Sequence, residues 1–165
     1  MLRGMLLVLL TSAVVSAQAP TPPAVDVPAS AVRAFIDALP RDVVSDRSIR
    51  TVDVGGYRVG AFGVFRPKAA RGTAQLHRVR TSEIYYMLKG AGTLVTGGTM
   101  VDPQESKTSP TNVSGSGIKG GVSRRLTPGD IVVIPGNTPH WWSELEGDIE
   151  YLIFRPDPDN RLPLK

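Results

Sequence analysis

The sequence predicts an all-β fold, a barrel or sandwich of short strands that follows one short helix. The chain has 165 residues with 17 glycines and 14 prolines, a composition typical of many turns. From Ile49 onwards, segments of alternating apolar and polar residues are separated by turn residues, as expected of short β-strands. Helical segments do not alternate with these strands, so a parallel α/β sheet is not expected. A chain of this length fits one domain.

The first 19 residues carry the three-part pattern of a secretory signal peptide. Arg3 supplies a positive charge, residues 5–15 are almost wholly apolar, and residues 17–19 form a small-x-small cleavage site. The apolar stretch is shorter than the roughly 20 residues of a membrane span, and the proline-rich residues 20–23 disfavour a buried helix. We therefore expect residues 1–19 to be removed, the protein to be exported to the periplasm or the medium, and no membrane span to remain.

Residues 20–48 are predicted to form a Pro/Ala-rich lead and a short helix. Ser30 can cap a helix that runs through Leu39, and Pro40 ends it. The apolar residues of this segment recur at helical spacing and form one stripe: Val32, Phe35, Ile36 and Leu39. We expect that stripe to pack on a sheet.

Residues 49–165 form the predicted barrel domain. Strands are predicted over residues 49–54, 57–65, 73–79, 83–89, 92–96, 122–126, 130–134, 140–145 and 149–154. Gly55-Gly56 predicts a hairpin between the first two strands. Residues 102–118 are rich in Ser, Thr, Gly and Pro, so we predict a flexible, protease-sensitive loop there.

Charge and cysteine content exclude several classes of function. The formal net charge is only +4, and the basic residues are spread along the chain without interleaved aromatics, so nucleic acid is not an expected partner. The chain has no cysteine, which excludes thiolate chemistry, iron–sulfur clusters and cysteine-bound zinc. Any metal must be held by nitrogen and oxygen atoms.

The chain has two histidines, and both fall within recognisable motifs. The segment from His77 to Gly90 resembles the first cupin motif, H-x-H-x3-E-x6-G, with Glu83 at its glutamate. The segment from Gly129 to His140 resembles the second, G-x5-P-x-G-x2-H. Both motifs occur in order, and the resemblance covers roughly residues 57–155. It implies a cupin-type jelly-roll β-barrel, as in small single-domain exported bacterial cupins.

The resemblance implies a metal site formed by His77, Glu83 and His140. Two imidazoles and a carboxylate suit a divalent transition metal such as Fe, Mn, Ni or Zn and leave positions open for substrate. Val79 stands where the family has its second histidine, so one of four expected ligands is missing, and Asn137 replaces the glycine of the second motif. The alternative is a degenerate site, in which these side chains hydrogen-bond one another and bind no metal.

Strand alternation adds candidate pocket residues around this site. The set predicted to line a substrate pocket comprises Gln75, Val79, Tyr85, Met87 and Trp142. Trp141 and Tyr86 are expected on the opposite faces of their strands, as packing residues.

Two functions follow from the resemblance. One is a metal-dependent enzyme of oxygenase, isomerase or lyase type that acts on a small organic molecule, and no catalytic residue is assigned. The other is a non-catalytic module that binds a small ligand in the barrel. Cupin barrels commonly pair through sheet edges, so a homodimer is also implied.

Overall fold

The structure is a computed structural model that describes residues 23–70 and 72–165. The predicted signal peptide lies outside these residues. One helix, α1, covers Ala29–Asp37. The strands of the described part are β1 Ser45–Asp53, β2 Arg58–Arg66, β3 Ala74–His77, β4 Glu83–Lys89, β5 Gly92–Thr96, β6 Thr99–Val101, β7 Gln104–Glu105, β8 Asn112–Gly115, β9 Gly117–Lys119, β10 Val122–Leu126, β11 Ile131–Ile134, β12 His140–Leu145 and β13 Ile149–Asp157.

The strands form two antiparallel sheets around one core. The first sheet has the order β1-β2-β13-β4-β11, and the second has the order β10-β5-β12-β3-β8-β7. Strands β6 and β9 pair as a separate ribbon. Neighbours in each sheet are mostly distant in sequence, as in a jelly roll. The predicted all-β barrel with one short helix is therefore confirmed.

The inner faces of β2 and β13 carry both the core and two charged side chains. Phe62 and Val64 of β2 are buried in the core, and the alternation of the strand brings Arg66 to the same face. Ile153 of β13 is buried in the core as well, and Arg155 follows it at the same spacing. The two arginines thus lie at the polar end of the barrel interior, where they line one cavity.

Helix α1 packs on the barrel as the apolar stripe predicts. Ile36 and Leu39 are buried, and the helix contacts β2, where Gly63 leaves room for Phe35. The helix ends at Asp37, and Ser30 lies inside its first turn without a side-chain cap, so the predicted capping role of Ser30 is wrong. A Pro28 carbonyl receives the first backbone hydrogen bonds instead.

A buried carboxylate connects the helical segment to the barrel. Glu150 of β13 accepts hydrogen bonds from Arg33 of α1 at 3.0 Å and from Arg41 at 2.8 Å. Its side chain is almost wholly buried. A buried carboxylate needs such partners, because an unpaired charge in the core is costly.

The segment 102–118 is not the flexible loop that its composition predicts. It contains β7, β8 and the start of β9, and β8 pairs with β3 from Ala74 to His77. Val113 of β8 is fully buried. This pairing satisfies the backbone of β3, which would otherwise form an exposed edge. Ser, Thr and Gly composition cannot reveal a partner strand so far away in sequence.

The described residues contain no helix with the length and apolarity needed to cross a membrane.

Candidate functional site

His77, Glu83 and His140 converge inside the barrel because each lies at a strand end. His77 ends β3, Glu83 begins β4 and His140 begins β12. The Nε2 atom of His140 lies 3.6 Å from Oε2 of Glu83. The ring centroids of the two histidines are 5.4 Å apart. The structure therefore brings together the three residues that the sequence motifs indicate.

Both imidazoles are anchored through Nδ1. His140 Nδ1 lies 3.0 Å from the carbonyl oxygen of Thr138, and His77 Nδ1 lies 3.0 Å from the amide oxygen of Asn112. An oxygen acceptor at Nδ1 requires that Nδ1 donate, so Nε2 of each neutral ring carries the lone pair. Burial lowers the pKa of His140, although the Glu83 carboxylate opposes this effect. The His140 ring is therefore neutral at pH 7 and can accept a hydrogen bond at Nε2.

Glu83 is held by an arginine that the motifs do not include. Arg155 Nε and Nη2 each lie 2.9 Å from Oε1 of Glu83, and the Tyr85 hydroxyl donates to Oε2 at 2.9 Å. Burial by itself raises the pKa of Glu83. The Arg155 guanidinium and the other polar neighbours of the carboxylate together outweigh burial, so the pKa lies below its usual value. Glu83 is therefore ionised at neutral pH.

Arg155 also connects the site to the rim of the barrel. Its Nη1 donates to Asp46 at 3.2 Å and its Nη2 at 2.6 Å. The guanidinium carbon lies 4.2 Å above the centre of the Phe62 ring. One guanidinium thus pairs with two carboxylates, and a cation–π contact with the aromatic ring beneath it stabilises it in this position.

These side chains border a cavity of about 170 Å³. It is lined by Val44, Asp46, Val64, Arg66, Thr73, Gln75, His77, Glu83, Tyr85, His140, Trp141, Trp142, Tyr151, Ile153 and Arg155. Polar groups therefore meet aromatic walls in one cavity, as is common in sites for small molecules.

Three of the five predicted pocket residues line this cavity, namely Gln75, Tyr85 and Trp142. Val79 instead lies in the bend after β3 and borders an outer groove with Arg78 and Asn137. Strand β3 ends at His77, so its alternation does not extend to Val79. Met87 is buried within the apolar core. The predicted placement of Val79 and Met87 in the pocket is therefore corrected.

The neighbours of the pocket aromatics are placed only partly as expected. Trp141 alternates with Trp142 along β12, and its indole donates to the Gly72 carbonyl oxygen at 2.9 Å. It lines the cavity as well, so the expectation that it only packs on the opposite face is corrected. Tyr86 was expected to pack in the core, but it is exposed. It lies on the outer face of the first sheet, where β11 places the exposed Ile131 beside it. Asn137 adopts a φ of 60°, so it preserves the turn that the family motif makes with glycine.

The contacts that Glu83 makes compete with a three-ligand metal site. Among residues 23–70 and 72–165, no three His, Asp or Glu side chains form a group that would hold a metal ion. Arg155 already occupies Oε1 of Glu83, and Tyr85 donates to Oε2. Metal binding by His77, Glu83 and His140 therefore stays a prediction.

Arg155 and Asn112 are the site residues that the sequence motifs missed. The alternation of apolar residues through Ile153 does indicate that Arg155 faces inward, so that position was open to prediction. The contact between Asn112 and His77 spans 35 residues, and nothing in the local sequence indicates it.

Comparison with known proteins gives one family match. Residues 49–161 match the family model described as Cupin. None of the curated proteins matches the chain.

Several solved structures resemble the chain at low identity. KdgF from Halomonas sp. is 24% identical over 64% of this chain and 85% of its own, with a TM-score of 0.41. A cupin-like protein from Thermotoga maritima is 20% identical over 74% of each chain, with a TM-score of 0.46. An RmlC-like cupin from Methanocaldococcus jannaschii is 15% identical over 73% of this chain and 88% of its own, with a TM-score of 0.44. None of these structural similarities identifies a ligand for this chain.

Proposed function

Because the chain belongs to the cupin family, we propose that it is a binding protein that takes a small organic molecule into its barrel. The observation that carries this proposal is the cavity of about 170 Å³, where ionised, imidazole and aromatic side chains meet. Ligand sites of small molecules combine apolar walls with a few oriented polar groups.

The polar groups of the cavity are held in position before any ligand arrives. Thr138 and Asn112 orient the two imidazoles, and Arg155 with Tyr85 orients the Glu83 carboxylate. Groups that are already ordered lose little conformational entropy on binding, which supports affinity. Because Nδ1 of each imidazole is turned to an oxygen, Nε2 is the ring atom that would accept a hydrogen bond from a ligand hydroxyl or N–H group.

The anchoring of both imidazoles also favours a second candidate, a metal-dependent cupin enzyme. A histidine that ligates a metal commonly donates its other ring nitrogen to a carbonyl or carboxylate, as His77 and His140 do here. His77, Glu83 and His140 would then hold iron, manganese, nickel or zinc, which would supply Lewis-acid chemistry in the cavity. The contact between Arg155 and Glu83 weighs against this candidate.

Elemental analysis of the purified protein, followed by stripping and refilling with each metal, separates the two candidates. The binding-protein proposal predicts less than one equivalent of metal and no loss on His140→Ala. A screen of small molecules by NMR should then give chemical-shift changes at cavity resonances in the metal-free protein. One bound equivalent that His140→Ala abolishes would establish the metal site on which the second candidate depends, and a screen without any hit at the cavity would reject the first.

Assembly as a homodimer is part of the proposal, with a second copy as the partner. Strand β11 is an outer strand of the first sheet, and its Ile131 and Val133 side chains are 65% and 62% exposed. The registers place Tyr86 beside Ile131 and the neighbouring Ile84 beside Phe154 on the same face. An unpaired outer strand is self-complementary under a two-fold axis, because two copies can pair antiparallel and join their apolar faces.

The proposal includes export of the protein from the cytoplasm. It rests on the signal-peptide pattern of residues 1–19, with the periplasm or the medium as the destination.

A further inference from the structure

Arg66 is a cavity residue that the site described above does not use. It lies on the inner face of β2 and lines the cavity. Its Nε is buried without a hydrogen-bond partner among the described residues. Arg155 holds both carboxylates of the cavity, Asp46 and Glu83. The Arg66 guanidinium is therefore left without an ion-pair partner in the described part of the chain.

Trp142 supplies a second N–H group without a partner. Its side chain is only 5% exposed, it lines the same cavity, and its Nε1 has no hydrogen-bond acceptor within the described ranges. Tyr151 is close to both groups: burial raises the pKa of its hydroxyl, and the Arg66 guanidinium and the Trp142 indole, whose N–H groups approach that hydroxyl, oppose this effect. Neither Nε of Arg66 nor Nε1 of Trp142 makes a hydrogen bond of normal geometry with it.

Buried donors without acceptors are rare and costly. Leaving one unsatisfied destabilises the folded protein, and a charged donor does so more than a neutral one. Two such donors on the wall of one cavity favour a ligand that brings acceptor oxygens. Gly72 is part of this arrangement, because a Cβ there would lie 2.7 Å from Nη1 of Arg66. The missing side chain leaves room for the guanidinium.

We infer that the cavity binds a small hydroxycarboxylic acid, whose carboxylate pairs with Arg66 and accepts a hydrogen bond from Trp142 Nε1. A planar guanidinium matches a carboxylate geometrically and forms charge-assisted hydrogen bonds with it. A ligand hydroxyl would donate to Nε2 of His140, because Nδ1 of the same ring is turned to the carbonyl oxygen of Thr138. This inference rests on the proposed binding of a small molecule in the barrel and adds its chemical class.

Matched acids and amides test the inference by isothermal titration calorimetry. The probes are lactate, malate and gluconate, each compared with lactamide, malamide and gluconamide. At least one acid should bind at least tenfold more tightly than its amide. Arg66→Gln should weaken that acid at least tenfold and leave the amide unchanged. Trp142→Phe keeps an aromatic ring at this position but removes the indole N–H group, and it should weaken binding of the acid several-fold.

Arg125→Gln is the matched control, because Arg125 is an exposed arginine whose partner is Glu146 on the outer surface. It should bind every acid as the wild type does. Circular dichroism establishes that each variant is folded, and if Arg66→Gln does not fold, Trp142→Phe and the acid–amide comparison decide. Equal affinity for acid and amide, equal affinity in Arg66→Gln, or no binding of any acid would overturn the inference.

The NMR screen tests the proposed function separately from this inference. If neutral molecules bind in the cavity and acids do not, the inference fails and the proposed function stands. If no molecule of any charge binds there, both fail.

Discussion

Arg155 and Glu83 form a buried ion pair at the polar end of the barrel, with Nε and Nη2 of the arginine each 2.9 Å from Oε1 of the glutamate. The two residues lie 72 positions apart, on β13 and β4. Their side chains are 14% and 9% exposed, so little water screens their attraction. A cation supplied by the protein itself thus lies against the carboxylate at the position where the family motif has a metal ligand.

Removal of Arg155 should destabilise the protein strongly. Arg155→Met leaves Glu83 and Asp46 without their cation, and breaking a buried pair on one side costs about 3–5 kcal/mol. Urea denaturation should measure this loss in the free energy of unfolding. Arg125→Gln breaks the exposed pair with Glu146 and should cost far less, because solvent screens an exposed ion pair. Equal losses in the two variants would show that burial does not strengthen the Arg155 pair.

Glu150 should make the free energy of unfolding decrease at acidic pH. Burial raises the pKa of Glu150, but hydrogen bonds from Arg41 and Arg33 lower it more, to a value below the usual one. As the pH falls, the Glu150 carboxylate is therefore protonated in the unfolded state at a higher pH than in the folded state. The stabilisation is complete above the unfolded pKa of about 4.3 and is lost as pH falls through the folded pKa.

Glu150→Gln tests this dependence directly. It should cost about 1–3 kcal/mol at pH 7, because charged hydrogen bonds to Arg33 and Arg41 are weakened. Denaturation from pH 7 to pH 3 should show a shallower decline for the variant than for the wild type. A parallel decline would mean that Glu150 does not contribute to acid sensitivity.

Val79→His should not add a metal ligand, although it restores the residue that the family motif has at this position. Val79 borders the outer groove beside Asn137, away from the cavity of His77 and His140. Metal titration should therefore give the same affinity for the variant and the wild type. Tighter binding by Val79→His would show that the bend after β3 can turn this side chain inward.

The mature protein should begin near residue 20. If residues 1–19 are a signal peptide, mass spectrometry of protein from the exported fraction should find an N-terminus at Pro20 or Gln18. An intact Met1 in that fraction would contradict cleavage.

The proposed dimer should depend on β11. Ile131→Lys places a charge on the exposed outer strand and should yield a monomer, because lysine on an outer strand opposes pairing between sheets. Light scattering coupled to size exclusion measures the mass of the wild type and the variant. Tyr57→Lys is a control at another exposed apolar residue, on the hairpin far from β11 in the sheet order. A monomeric wild type would contradict the dimer.

The sequence by itself determined much of the fold and the frame of the site. The bounds of β4, β5, β10 and β12 were predicted to the residue, because turn residues bound each segment and because one-sided burial, as in β4, imposes an alternating pattern that is local in sequence. His77, Glu83 and His140 were identified differently, from the resemblance of two short segments to the cupin motifs.

Only the tertiary structure decided which side chains surround that frame. Arg155 meets Glu83, Asn112 meets His77, and Arg66 and Trp142 border one cavity because the sheet order brings together strands distant in sequence. Local patterns say whether a side chain faces inward, but not what it meets there. The same reason explains why 102–118 was mistaken for a loop: its strands exist through pairing with β3, and that pairing is decided by the barrel as a whole.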